Sequence, residues 1–232
     1  MRQASKVLPT CVFLLISLFF ASGCAFGRKK INLEGTFVSA ECPSLITTVQ
    51  KPKIVLDSVV DEREFLSGNG LTKPSIGLGK ILTRLEDTAE ARACLIGRIS
   101  NMWGVPCGDI ISGGNFTVAS HIKRLVRQAL IDAGFDVMED VTGADEDVYR
   151  AKVRIADFWG WLLYRHNVHA RMYIEIERAG DIKNIISDVY TDSIAIWGSR
   201  AEWEEAYRHS AQRIVEDLTQ RFASIVPQAT YK

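Results

Sequence analysis

The residues of this 232-residue chain best suited to chemistry are its cysteines and histidines. Cys107 lies beside Gly104, Pro106 and Gly108, a loop setting in which a thiolate can act as a nucleophile, and His121 is a base within reach downstream. His166 and His169 would share a metal on one face of a helix, but the strand period that follows them puts residues three apart on opposite faces. Gly77-Leu78-Gly79-Lys80 has the Gly-Lys end of a phosphate loop. Pro74 stands where that loop needs its first glycine, Ile81 where it needs a hydroxyl, and Leu82 breaks the dinucleotide pattern. No Gly-x-Ser-x-Gly elbow occurs. The expectation is therefore a protein without catalytic residues, metal or cofactor, and a thiol or metal-dependent hydrolase built on Cys107 or the histidines is the enzymatic alternative.

Cys24 has a stronger context. Arg2 and Lys6 precede the apolar run Val12 to Phe20, and Ala21-Ser22-Gly23-Cys24 ends it. That run is too short for a hydrocarbon core of ~30 Å, so residues 1–23 read as a secretory signal. The last four residues resemble the bacterial lipobox, cut before a cysteine whose thiol carries diacylglycerol and whose new amino group is acylated. Ala21 stands where leucine is usual. Ordinary cleavage after a small-x-small triplet, leaving a soluble periplasmic protein, is the alternative. On the lipobox reading Cys24 is the lipid-attachment residue, and several acyl chains, palmitate among them, hold the protein to a membrane without spanning it. Ala25 rather than aspartate follows Cys24. By resemblance to enterobacterial lipoprotein sorting, this implies the periplasmic face of the outer membrane.

Loss of the signal takes Arg2 and Lys6 with it and leaves 26 basic against 28 acidic side chains. A near-neutral surface with no basic block offers no grip on phosphates, so nucleic acid is excluded as a partner. Cys42, Cys94 and Cys107 remain in the body, an odd number that leaves one thiol unpaired or paired between chains. A disulfide between Cys94 and Cys107 would close a short loop in an oxidising compartment.

The elements that must carry these residues follow from periodicity. Residues 24–51 mix charges, Gly35 and Pro43 without a period and read as a lipidated N-terminus and tether, reaching at most about 90 Å. A single domain over 52–226 begins with the β-branched strand Lys53 to Val60. Residues 64–115 hold nine glycines and read as a long insertion with one helix or a short strand around Leu95 to Ile99. Thr117 caps a helix with Val118, Ile122, Leu125, Val126, Ala129, Leu130 and Ala133 on one stripe and Gly134 at its end. Alternation from Ala151, from Val168 and from Ile185 to Trp197 gives three antiparallel strands, with a turn at Arg178-Ala179-Gly180-Asp181. Ser199 and Glu202 form a capping box for a terminal helix with Trp203, Ala206, Tyr207, Ser210, Ile214, Leu218 and Phe222 inward. The fold class is α+β, a two-layer sandwich of a mostly antiparallel sheet with two amphipathic helices on one face, in the order strand, helix, three strands, helix. Asp157 to Tyr164 is dense in aromatics at a strand end. Most should cap the core, with Trp161 and Tyr164 left to meet a partner.

The Cys24 lipobox, the strand Ile54 to Val60 running into Asp61-Glu62-Arg63, the helix end Ala129 to Val137 and the strand-strand-helix close resemble the YajG-like family of periplasmic lipoproteins. More distantly they are similar to auxiliary lipoproteins of ABC-type lipid transport. The resemblance implies no catalytic residues. It implies an outer-membrane-anchored, non-catalytic binding or scaffolding module with an envelope protein partner, and an accessory subunit of a lipid-transport system as the alternative.

Overall fold

The structure is a computed structural model that describes residues 28–34, 51–67, 72–76, 88–100, 106–114, 116–139, 147–194 and 198–226. Cys24, Cys42 and the lipobox lie outside them. The strands are β1 (Lys29–Ile31), β2 (Lys53–Asp61), β3 (Leu66–Ser67), β4 (Ser75–Ile76), β5 (Leu95–Ser100), β6 (Pro106–Ser112), β7 (Asp136–Met138), β8 (Tyr149–Leu163), β9 (Arg165–Arg178) and β10 (Asp181–Ile194). The helices are α1 (Ala89–Cys94), α2 (Val118–Asp132) and α3 (Arg200–Ala223). The class is α+β.

Strand β8 organises the main sheet. One edge carries β9 along its whole length, and β10 follows as the outermost strand, giving the expected antiparallel meander. The other edge is shared: β2 runs parallel to its first half, and β5 runs parallel at Gly160 to Leu162. Beyond β5 lie β6, antiparallel, and then β1, parallel to β6, while β7 borders β2. The long ladders are the antiparallel ones. β3 and β4 form a separate small pair.

Two boundaries differ from the sequence expectation. Residues 64–115 are not simply an insertion, because β5 and β6 are integral strands of the main sheet. Gly97 sits directly opposite Gly160 there, a packing requirement that glycine content alone disguises as loop. Nor does the tether extend over 24–51. Lys29 to Ile31 pair with Ile110 to Ser112, and Ile31 and Leu33 are fully buried. A three-residue strand is too short to show a period.

Both long helices cover one face. α2 buries Val118, His121, Ile122, Leu125, Val126, Ala129 and Leu130, and α3 buries Trp203, Ala206, Tyr207, Ser210, Ala211, Ile214, Leu218 and Phe222. Each fully buried aliphatic or aromatic side chain contributes about 1.5–3 kcal/mol. Thr117 and Ser199 each accept from the backbone N–H three residues on, and Ser120 and Glu202 return the bond. α2 stops where Gly134 takes φ 98° and the Phe135 N–H reaches the Leu130 carbonyl. α3 crosses the whole sheet: the N–H of Asn32, beside β1, bonds Glu204, and Ser187 on β10 bonds Asp217.

Candidate functional site

The face of the meander away from the helices is the surface with something to offer a partner. Alternation along β9 sends Val168, Ala170, Met172, Ile174 and Ile176 under the helices and turns His169, Arg171, Tyr173 and Glu175 outward. On β10 the outward positions carry Ile182 (52% exposed), Ile186 (53%), Tyr190 (57%) and Ile194 (76%). Polar residues separate them: Asp188 is held by His169 Nε2 at 2.7 Å and by Arg171 at 2.7 Å, and Asp192 by Arg165.

β8 changes face partway. A bulge at Ala156 lets Val153 and Ile155 face the helices in the first half and Phe158, Gly160 and Leu162 in the second. Trp159 and Trp161 are thereby turned to the outer face. Trp159 is buried there with Leu95 and Ile111, a second small core that Phe65 and Trp161 pack against. Trp161 is half-buried, its ring 5.9 Å from Tyr190. Tyr190 donates to Asn167 Oδ1 at 2.5 Å, and Asn167 Nδ2 donates to the Arg165 carbonyl at 2.8 Å, which fixes the rings to the hairpin. Tyr164, at the β8–β9 turn with φ 62°, is 73% exposed. Both sequence candidates thus lie on or beside one apolar surface, Trp161 as its partly covered floor and Tyr164 at its tip. The four β10 side chains were missed because their spacing of four conceals a period of two.

Charged residues brace this face from within. Arg63, buried, donates to the carbonyls of Leu95 at 2.7 Å, Phe158 at 3.0 Å and Arg92 at 2.8 Å, and to the Asp61 carboxylate at 2.8 Å. Arg98 and Asp109, a cross-strand pair on β5 and β6, meet at 3.3 Å with almost no exposure. Burial pushes the Asp109 carboxyl above its ordinary range against the pull of Arg98.

The residues with catalytic potential are dispersed. His121 is enclosed beneath α2, its ring 5.6 Å from Phe158, and burial with the neighbouring Arg124 charge pulls its pKa down to about 4. His166 is buried against Trp203, centroids 4.5 Å apart, while His169 faces outward to Asp188, so the two lie on opposite faces as the strand period requires. The side chain of Cys107 lies outside the described residues. Among those residues no three His, Cys, Asp or Glu side chains gather as metal ligands. The expected Cys94–Cys107 disulfide is corrected. Cys94 is a free thiol immediately before β5, whereas Cys107 sits opposite the far end of that strand, between the partners of Ser100 and Ile99. Five residues of strand, about 16 Å, separate them, well beyond the ~7 Å Cα limit of a disulfide. At the other end of the meander an open cleft of about 750 Å³ lies by Tyr149, Arg178, Lys183 and Ile225, and Arg178 there is already bonded to Tyr149 and Asp147.

No family model matches the sequence. A search of curated proteins gives no match either. Among solved structures, an uncharacterized protein aligns over 86% of this chain and 95% of its own at 10% identity, with a TM-score of 0.37. A Xanthomonas campestris protein of the DUF330 family aligns over 50% of this chain and 65% of its own at 9% identity, TM-score 0.38. A minor lipoprotein from Acinetobacter baumannii aligns over 47% of this chain and 87% of its own at 14% identity, TM-score 0.32.

Proposed function

We propose that this chain is a lipoprotein of the bacterial envelope, held by acyl chains on Cys24 at the periplasmic face of the outer membrane, where its α+β body works without catalysis as a docking module for an envelope protein. The observation that carries the reading is the succession of Arg2 and Lys6, the apolar run Val12 to Phe20 and Ala21-Ser22-Gly23-Cys24. Support for a non-catalytic role comes from His121, the base that sequence offers Cys107, which lies on the buried face of α2 at 2% exposure, packed against Phe158. The aromatic tip at Trp161 and Tyr164 is the contact surface assigned to the envelope partner. The test is incorporation of radiolabelled palmitate with membrane fractionation of wild type and Cys24→Ser. Label in the wild type and release of the variant to the soluble fraction are expected; an unlabelled wild type with its leader intact sinks the reading. Cross-linking from Tyr164 in the labelled protein then identifies the partner, and capture of a lipid-transport permease would select the accessory-subunit role over the scaffold.

A further inference from the structure

We propose that two copies of this chain join through their β10 edges, antiparallel, into one continuous sheet. Among the described residues β10 has a strand neighbour on one side only, β9. The two-residue turn Ala179-Gly180, both at positive φ, makes Arg178 and Asp181 the hydrogen-bonded pair that closes the hairpin. Odd-numbered residues of β10 therefore commit their N–H and C=O groups to β9, and even-numbered residues direct theirs to the open edge. The same even-numbered residues, Ile182 through Ile194, are all exposed. A long edge strand with apolar side chains and open backbone groups is a template for another strand.

The spacing specifies which strand. In an antiparallel pairing centred on Asp188, Ile182 meets Ile194 and Ile186 meets Tyr190, so every outward apolar residue opposes another. Asn184 meets Asp192, an amide donor against a carboxylate. A slip of the centre by one residue either way opposes isoleucine and tyrosine to aspartate and asparagine; a slip by two strands Ile182 or Ile194 without a partner. Asp188 faces its own counterpart across the axis, and the His169 and Arg171 contacts at 2.7 Å offset that repulsion. A two-fold axis through Asp188 stands normal to the sheet. For two chains anchored in one leaflet, this is the symmetry that lets both anchors reach the same membrane, although the pairing itself does not depend on the anchor.

The purified full-length protein in mild detergent should show twice the monomer mass by light scattering. Ile186→Lys, which spares every bond to β9, should return it to monomer mass with unchanged circular dichroism. In a background with Cys42, Cys94 and Cys107 replaced by serine, Asp188→Cys should give an oxidant-induced dimer on a non-reducing gel and Asn184→Cys should not, because Cα atoms ~5.5 Å apart at the axis lie within disulfide reach. A wild-type monomer, a dimer that survives Ile186→Lys, or cross-linking at Asn184→Cys alone overturns the proposal. Palmitate labelling reads the anchor separately, so either idea can fail without the other.

Discussion

The Tyr207 hydroxyl occupies a gap that only two glycines can leave. It donates to the Ile96 carbonyl at 2.6 Å, beneath the Gly97–Gly160 cross-strand pair. A Cβ on Gly160 would fall on that hydroxyl and 3.1 Å from Trp203 Cζ3. Gly160→Ala should cost roughly 1–3 kcal/mol through overpacking. Tyr207→Phe removes the obstructing oxygen, so the alanine should cost less in that background; equal penalties in urea melts of both backgrounds would refute the contact. His121 provides a pH test. Its folded pKa of about 4 lies below the ordinary 6.5, so protonation favours the unfolded chain. This contribution is complete above pH ~6.5 and is lost as pH falls toward 4, about 3 kcal/mol in all. His166 is shifted downward by burial too. The melting temperature should fall between pH 7 and 4.5, and His121→Leu should flatten part of that slope; parallel slopes would refute it. In sequence Gly160 stands among aromatics with nothing to mark the close approach, whereas His121, three residues after Val118 and four before Leu125, falls on the apolar stripe, so its burial is legible and only its enclosure beside Phe158 and Arg124 is not.

The two amphipathic helices and the meander were legible because each repeats its period over many residues. Where one residue interrupts the period the reading failed. The bulge at Ala156 reverses the sense of β8, so extending the alternation from Ala151 would have pointed Trp159 into the wrong core. Asp61-Glu62-Arg63 likewise read as a charged strand end, whereas Arg63 turns inward and ties the exit of β2 to β5 and β8. Its fork satisfies carbonyls on three segments, which lysine cannot do. Arg63→Met should therefore destabilise by about 3–5 kcal/mol by leaving Asp61 and those carbonyls without their donor. Arg63→Lys should recover little of it, and a lysine variant as stable as wild type in guanidinium titration would assign Arg63 to charge alone. At the start of α3, Ser199→Ala should cost about 0.5–2 kcal/mol by removing the N-cap acceptor for Glu202, with a matching loss in thermal stability.

Across the whole molecule the sheet has two unlike ends. Among the described residues β1 and β7, three residues each, are the outermost strands on one side of β8, and the fourteen-residue β10 is the outermost strand on the other, with α3 reaching from beside β1 to β10. The α+β class was available from pattern, but not the routing of β5 and β6 into the sheet, because glycine-rich short strands carry neither period nor strong propensity. Of the surface proposed for contact, aromatic density in the sequence points to Trp161 and Tyr164, while the β10 side chains acquire meaning only once that strand is seen to be an edge. β1 has one more implication. Lys29 enters the sheet five residues after Cys24, a stretch of at most about 18 Å. On the proposed anchoring at Cys24, the folded body would be moored on a short leash: it would skim the lipid headgroups and sweep only a narrow shell beside the membrane, so a partner would have to be brought to it rather than fished for at a distance.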